Sequence, residues 1–70
     1  MNWIETPDSS NIARFAYTKE TQVLTVEFKK GERYEYFDVP ETVFEAMKAA
    51  SSKGQYHAQN VKNKFRYARA

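Results

Sequence analysis

VLTVEFKKGERYEYFDVPETVFEAMKAA, residues Val23 to Ala50, changes its hydrophobic period from two to 3.6 at Pro40. Leu24, Val26 and Phe28 alternate with Thr25 and Glu27, the pattern of a half-buried antiparallel strand. Lys29 to Glu32 supply a turn in which Gly31 can take the positive φ that short hairpin turns often need. Arg33 to Tyr36 resume the alternation, with Tyr34 and Tyr36 on one face and Arg33 and Glu35 on the other. Pro40 suits a first helical turn, where its missing N–H costs nothing. Beyond it Val43, Phe44, Met47 and Ala50 draw one apolar stripe. Glu41 meets the positive end of the helix dipole, and Glu45 and Lys48 lie three apart on the exposed side. The stretch predicts a strand, a tight turn, a second strand and a helix.

Upstream, residues 12–18 read as a first strand, although Ile12, Arg14 and Ala16 alternate with Ala13, Phe15 and Tyr17 so that neither face is wholly apolar. Lys19 to Gln22 form a polar turn, and links this short permit only antiparallel pairing. Residues 1–10 read as an irregular lead-in, because Pro7 bars a central strand and Asp8 to Asn11 are turn residues. Trp3 and Ile4 are apolar enough to fold over the core or to meet a partner, and packing is the commoner use of a large aromatic. Downstream, Gly54 is placed as a left-handed stop to the helix. Residues 55–70 then read as a short helix followed by an extended tail. Tyr56, Val61 and Phe65 make its narrow apolar side, and Lys62 and Arg66 share an i,i+4 row; Phe65 to Arg69 also alternate as a strand would. The predicted fold is α+β, a three-stranded antiparallel meander packed by one main helix, with a second short C-terminal helix, in a single domain over residues 1–70.

Seventy residues make one domain at most. A chain so short buries only about 60% of its unfolded surface, so one core is marginal. The absence of cysteine removes disulfides and thiolate metal sites together, leaving five Phe, five Tyr and Trp3 as the reinforcement. No apolar run approaches the roughly 20 residues that cross a bilayer, and MNWIETPDSS lacks the layout of a signal peptide. A soluble cytoplasmic protein without a membrane role is expected. The net charge is only +2, yet all nine carboxylates lie at or before Glu45, followed by Lys48, Lys53, Lys62, Lys64, Arg66 and Arg69. That asymmetry points to an anionic partner.

SSNIA (Ser9 to Ala13), LTVEF (Leu24 to Phe28), YEYFDVP (Tyr34 to Pro40) and AASSKGQY (Ala49 to Tyr56), with Arg66-Tyr67 in a basic end, carry a family likeness. In these marks and their order the chain resembles the KTSC domain, named for its place at the C-terminus of some lysyl-tRNA synthetases. The domain also occurs alone in short bacterial and bacteriophage proteins. The resemblance implies a bacterial cell or a phage-infected host as the setting, and its context suggests RNA binding. The sequence departs from the family pattern at Tyr56-His57-Ala58. It also has a lysine near Val61 where arginine is commoner, and lysine offers a point charge and not a fork.

Nucleic-acid binding needs cations for phosphates and flat rings for bases. Tyr34 and Tyr36, about 7 Å apart along a strand, form a stacking platform if exposed and ordinary core if the helix covers them. The basic candidates are Lys53, Lys62, Lys64, Arg66 and Arg69, with Ser52 and Asn60 beside them as polar contacts. Ser51 to Gly54 can present free N–H groups to a phosphate, though SSKG lacks the spacing of a P-loop. His57, the one histidine, has no nucleophile or metal-ligand spacing around it and reads as a solvated side chain. Glu27 and Glu35 are surface charges that face each other across neighbouring strands. No enzyme, cofactor or metal site is read. The function expected is a non-catalytic module binding nucleic acid, RNA favoured, through a basic C-terminal surface; the alternative is a homo-oligomeric phage-type protein that sequesters a small anionic nucleotide or blocks a host defence factor, and a third reading is a protein-interaction module using Trp3 and the sheet edge.

Overall fold

The residues with the longest period-two runs form the middle of the sheet. The computed structural model describes residues 2–70. In it β2 (Ile12–Thr18), β3 (Val23–Phe28) and β4 (Arg33–Tyr36) make the predicted antiparallel meander. Two more strands extend it. β1 (Ile4–Glu5) pairs with β2, and β5 (Tyr67–Arg69) pairs with β4, giving a five-stranded sheet in the order β1-β2-β3-β4-β5. The three-stranded expectation is corrected at both edges, and the lead-in is not wholly irregular. The expected extended tail is β5, although its pairing with β4 was not foreseen, and the two residues of β1 are too few to display a period.

A register shift between Ile12 and Arg14 explains the mixed alternation of β2. Ile12 faces Phe28, Phe15 faces Val26 and Tyr17 faces Leu24, so the irregularity returns all three β2 side chains to one face. That face carries the core, in which Ile12, Phe15, Leu24, Val26, Val39, Met47 and Val61 are wholly buried. Helix α1 (Glu41–Ala49) lays Met47 into it. Its Phe44 ring stacks on Tyr17 at 5.0 Å and meets Phe15 edge-on at 5.9 Å. Pro40 is the residue before the helix, with ψ 149°, and its carbonyl accepts from the Val43 N–H at 3.0 Å. The Glu45–Lys48 ion pair forms at 3.3 Å, and at that exposure it contributes a few tenths of a kcal/mol.

The second helix begins earlier than expected. α2 (Lys53–Asn60) has Ser52 as its N-cap, whose hydroxyl accepts from the Gln55 N–H at 3.3 Å. Gly54 therefore lies in the first turn of α2 and does not terminate α1. A Cβ there would stand 2.6 Å from Asn11 Oδ1 and 3.1 Å from Ser9 Oγ, so this glycine lets the turn before β2 close against the helix. Ser52→Ala should destabilise the fold by about 1 kcal/mol, read as a lower midpoint in urea unfolding. α2 ends at Asn60, and Val61 caps it with its N–H on the His57 carbonyl at 3.0 Å. Lys62 to Phe65 continue as turns, with Asn63 at φ 68°. Lys62 and Arg66 thus share no helical row, and Phe65 is not a helix residue.

On the other face of the sheet Glu27 stands opposite Arg33, and Glu35 opposite Thr25, so the two carboxylates do not face each other. Arg14 approaches Glu27 at 2.7 Å and Arg33 at 3.6 Å. The hydrogen bond from Arg14 holds the Glu27 carboxyl below the usual carboxylate range. Trp3 packs on this face and not in the core, with the guanidinium carbons of Arg14 and Arg33 at 4.3 and 5.2 Å from its ring centre.

Candidate functional site

The pairing of β4 with β5 sets Tyr36 opposite Tyr67 and Tyr34 opposite Arg69. All three tyrosines therefore share the helix-bearing face, at the edge of the sheet that β5 adds. The Tyr34 and Tyr67 rings lie 5.6 Å apart and 23° from parallel, and Tyr34 and Tyr36 are 6.5 Å apart at 27°. Tyr67 tilts over Tyr36 at 5.7 Å. Exposure runs outward along the set: Tyr36 is 3% exposed, Tyr34 half-buried and Tyr67 51% exposed. One end of the stack is core and the other is surface.

His57 belongs to the buried end. It is 3% exposed, which corrects the solvated reading: α2 turns this side chain toward β3 and β4. Its Nε2 lies 3.0 Å from the Tyr36 hydroxyl, and Phe28 and Tyr36 meet the imidazole edge-on at 5.5 and 5.2 Å. Burial, helped by the charge of Lys62, pushes His57 down to about 4. Burial likewise pushes the Tyr36 hydroxyl up to about 12, with Tyr34 and Tyr67 adding to it. At neutral pH both groups are uncharged, and the Nδ1–H tautomer lets the Tyr36 O–H donate to Nε2.

Beside this pair a cleft of about 420 Å³ opens between the 28–32 turn and the end of α2. Phe28, Tyr34, Tyr36 and His57 line its aromatic part, and Lys29, Lys30, Lys62 and Glu32 contribute charge. Aromatic surface with several cations beside it can hold a flat ring and neutralise phosphate.

Of the residues singled out in the sequence, Tyr34, Tyr36 and Lys62 meet at this cleft. Arg69 stands at its margin, with its guanidinium 3.7 Å from Glu32. The others lie elsewhere. Ser52 and Lys53 line a second cleft against residues 5–11, and Lys53 Nζ donates to the Ala50 carbonyl at 3.1 Å. Asn60 donates to the Tyr56 carbonyl within its own helix, at 3.3 Å. Arg66 pairs with Asp38 at 3.5 Å and lies 5.4 Å from the Phe37 ring centre. Lys64 is exposed on the turn after α2. The sequence reading did not pick out Phe28, Lys29, Lys30, His57 and Tyr67 for the site. The alternation of Phe65 to Arg69 was the one available signal for Tyr67, since a strand there must pair with an edge of the meander. Among the described residues no group of His, Cys, Asp or Glu side chains gathers to hold a metal ion. No helix among them is long and apolar enough to cross a membrane.

The family model of the KTSC domain matches residues 8–65. The chain is 49% identical over 61 residues to a lysine–tRNA ligase of Trichormus variabilis, an alignment that takes in 87% of this chain and 11% of the ligase. The chain therefore spans only a small part of the length of such ligases. A protein of Tsukamurella paurometabola is 37% identical over 59 residues, covering 84% of this chain and 88% of that protein. The crystal structure of a KTSC domain protein from Yersinia pestis superposes with a TM-score of 0.90 at 27% identity, over 99% of this chain and 96% of that one.

Proposed function

The chain belongs to the KTSC domain family, and from that premise we propose that it is a non-catalytic module that binds nucleic acid, RNA in preference, through the surface around Tyr34, Tyr67 and Lys62. The observation that carries the reading is the tyrosine stack with one exposed end beside a cleft edged by Lys29, Lys30 and Lys62. Rings fixed against one another lose little freedom when a base joins them, and ammonium groups a short distance away suit phosphates. The preference for RNA draws support from the likeness to lysine–tRNA ligases, whose name gives tRNA as their partner. A binding role without chemistry draws support from His57, whose Nε2 is occupied by Tyr36 inside aromatic packing.

With Lys29, Lys30 and Lys62 as the phosphate contacts, binding should weaken with salt, and log K against log salt should have a slope of about −2 for a single strand. Fluorescence anisotropy of a labelled RNA titrated at several salt concentrations measures it. Lys62→Ala should lower affinity across all sequences and make the slope shallower by about 0.7. A slope near zero, or a Lys62→Ala variant that binds like the parent, would remove the basis of the reading.

A further inference from the structure

The edge position of Tyr67 narrows the class of ligand. On either side of β5 the Ala70 N–H donates to the Arg33 carbonyl, and the Phe37 N–H donates to the Arg66 carbonyl, each at 2.8 Å. Antiparallel pairing alternates, so the N–H and C=O groups of Tyr67 and Arg69 point away from β4, off the edge of the sheet. Tyr67 therefore presents a half-exposed ring beside free backbone donors and acceptors, with its inner side held against Tyr34.

A base inside a duplex has both faces covered by its neighbours and offers only its edges. A half-exposed ring on a sheet edge gains nothing from such edges, whereas an unpaired base can lie flat against it. The cations are also few and local. Lys29, Lys30 and Lys62 edge one concave cleft, while Arg66 and Arg69 are each within ion-pair distance of a carboxylate. A duplex would ask for a longer cationic track than this.

Resting on the reading that this surface binds nucleic acid, we infer that its ligand is a single-stranded segment, with one unpaired base stacked on Tyr67 and the adjoining phosphates passing along Lys29, Lys30 and Lys62. Tyr34 joins the two halves of the site, since its ring both supports Tyr67 and lines the cleft.

The experiment compares one labelled RNA strand, alone and annealed to its complement, on the whole chain at low salt. The single strand should bind at least about tenfold tighter. Tyr67→Ala should cost the single strand about fivefold or more, the range seen when a base loses its aromatic partner. Tyr67→Phe should bind like the parent, because the ring and not the hydroxyl stacks. Lys62→Ala should weaken single strand and duplex alike, and circular dichroism of each variant checks the fold. Equal or tighter binding of the duplex would overturn the inference while leaving the nucleic-acid reading in place. A free mononucleotide that competes as well as the strand, at equal nucleotide concentration, would also overturn it, in favour of a small-nucleotide site. Failure of both RNAs to bind at low salt would remove the reading and the inference with it.

Discussion

Acidification from pH 7 to pH 4 is expected to remove up to about 3 kcal/mol of folding stability through His57 alone. The folded protein holds this imidazole at about 4, and an unfolded chain returns it to the ordinary value of 6.5. Between those values the unfolded chain binds the extra proton and the native one does not, so stability rises with pH across the window. The contribution is complete above pH 6.5 and is lost as pH falls toward 4. A chain of this length commands only about 4–10 kcal/mol in total, so the loss is a large share. The physical cause is burial: with 3% of its surface exposed and Phe28 and Tyr36 against it, an imidazolium has lost most of its water. Urea unfolding at a series of pH values across the window checks this, with His57→Gln as the comparison. The variant should be weaker at pH 7 but lose far less between pH 6.5 and 4. Parent and variant falling in parallel would show that other groups set the acid response.

His57 also marks where sequence reading reaches its limit. Its neighbours Gln55, Gln59 and Asn60 leave Tyr56 and Ala58 as the apolar residues of α2 and give His57 a polar setting in the sequence; its burial arises because that helix packs across β3 and β4. The middle of the sheet was legible, since Leu24, Val26 and Phe28 repeat often enough to display a period of two. So was the shared face of Tyr34 and Tyr36. Which face the helices would cover was not, because that depends on the return of the chain after Pro40. β1 was illegible for want of length, β5 was legible as an extended tail but not as a partner of β4, and the irregularity in β2 disguised Ile12 as belonging to the opposite face. The basic tail had legible composition but illegible direction. The turn through Asn63 and the pairing of β5 send Lys62 to the cleft, Arg66 to Asp38 and Arg69 to Glu32. Charge along a chain says that cations are available; only the fold says which of them share a surface.

Phe15→Ala carries the other large expectation, a loss of about 3–5 kcal/mol. Phe15 is wholly buried and has the largest side chain among the fully buried residues. It sits in β2 between Ile4 on β1 and Val26 on β3, and receives Phe44 from α1 edge-on at 5.9 Å. Removing the ring takes apolar surface from the point where β1, β2 and β3 meet α1. β2 is held by its hydrogen bonds to β3, so its backbone cannot close the space. Against about 4–10 kcal/mol in total, this leaves a protein partly unfolded at room temperature. Circular dichroism and Trp3 fluorescence should then report one transition, displaced to much lower urea. Phe44→Ala should cost less, because that ring is only partly buried. A Phe15→Ala loss below about 1 kcal/mol would be far under the range for a buried aromatic, and would mean that the core is not organised around this face of the sheet. The tyrosine stack and cleft rest on β3 and β4, which pair with the strand carrying Phe15 through β3. Under the proposed function the variant should therefore bind RNA in proportion to its folded fraction, and cooling or added osmolyte that restores the fold should restore binding with it.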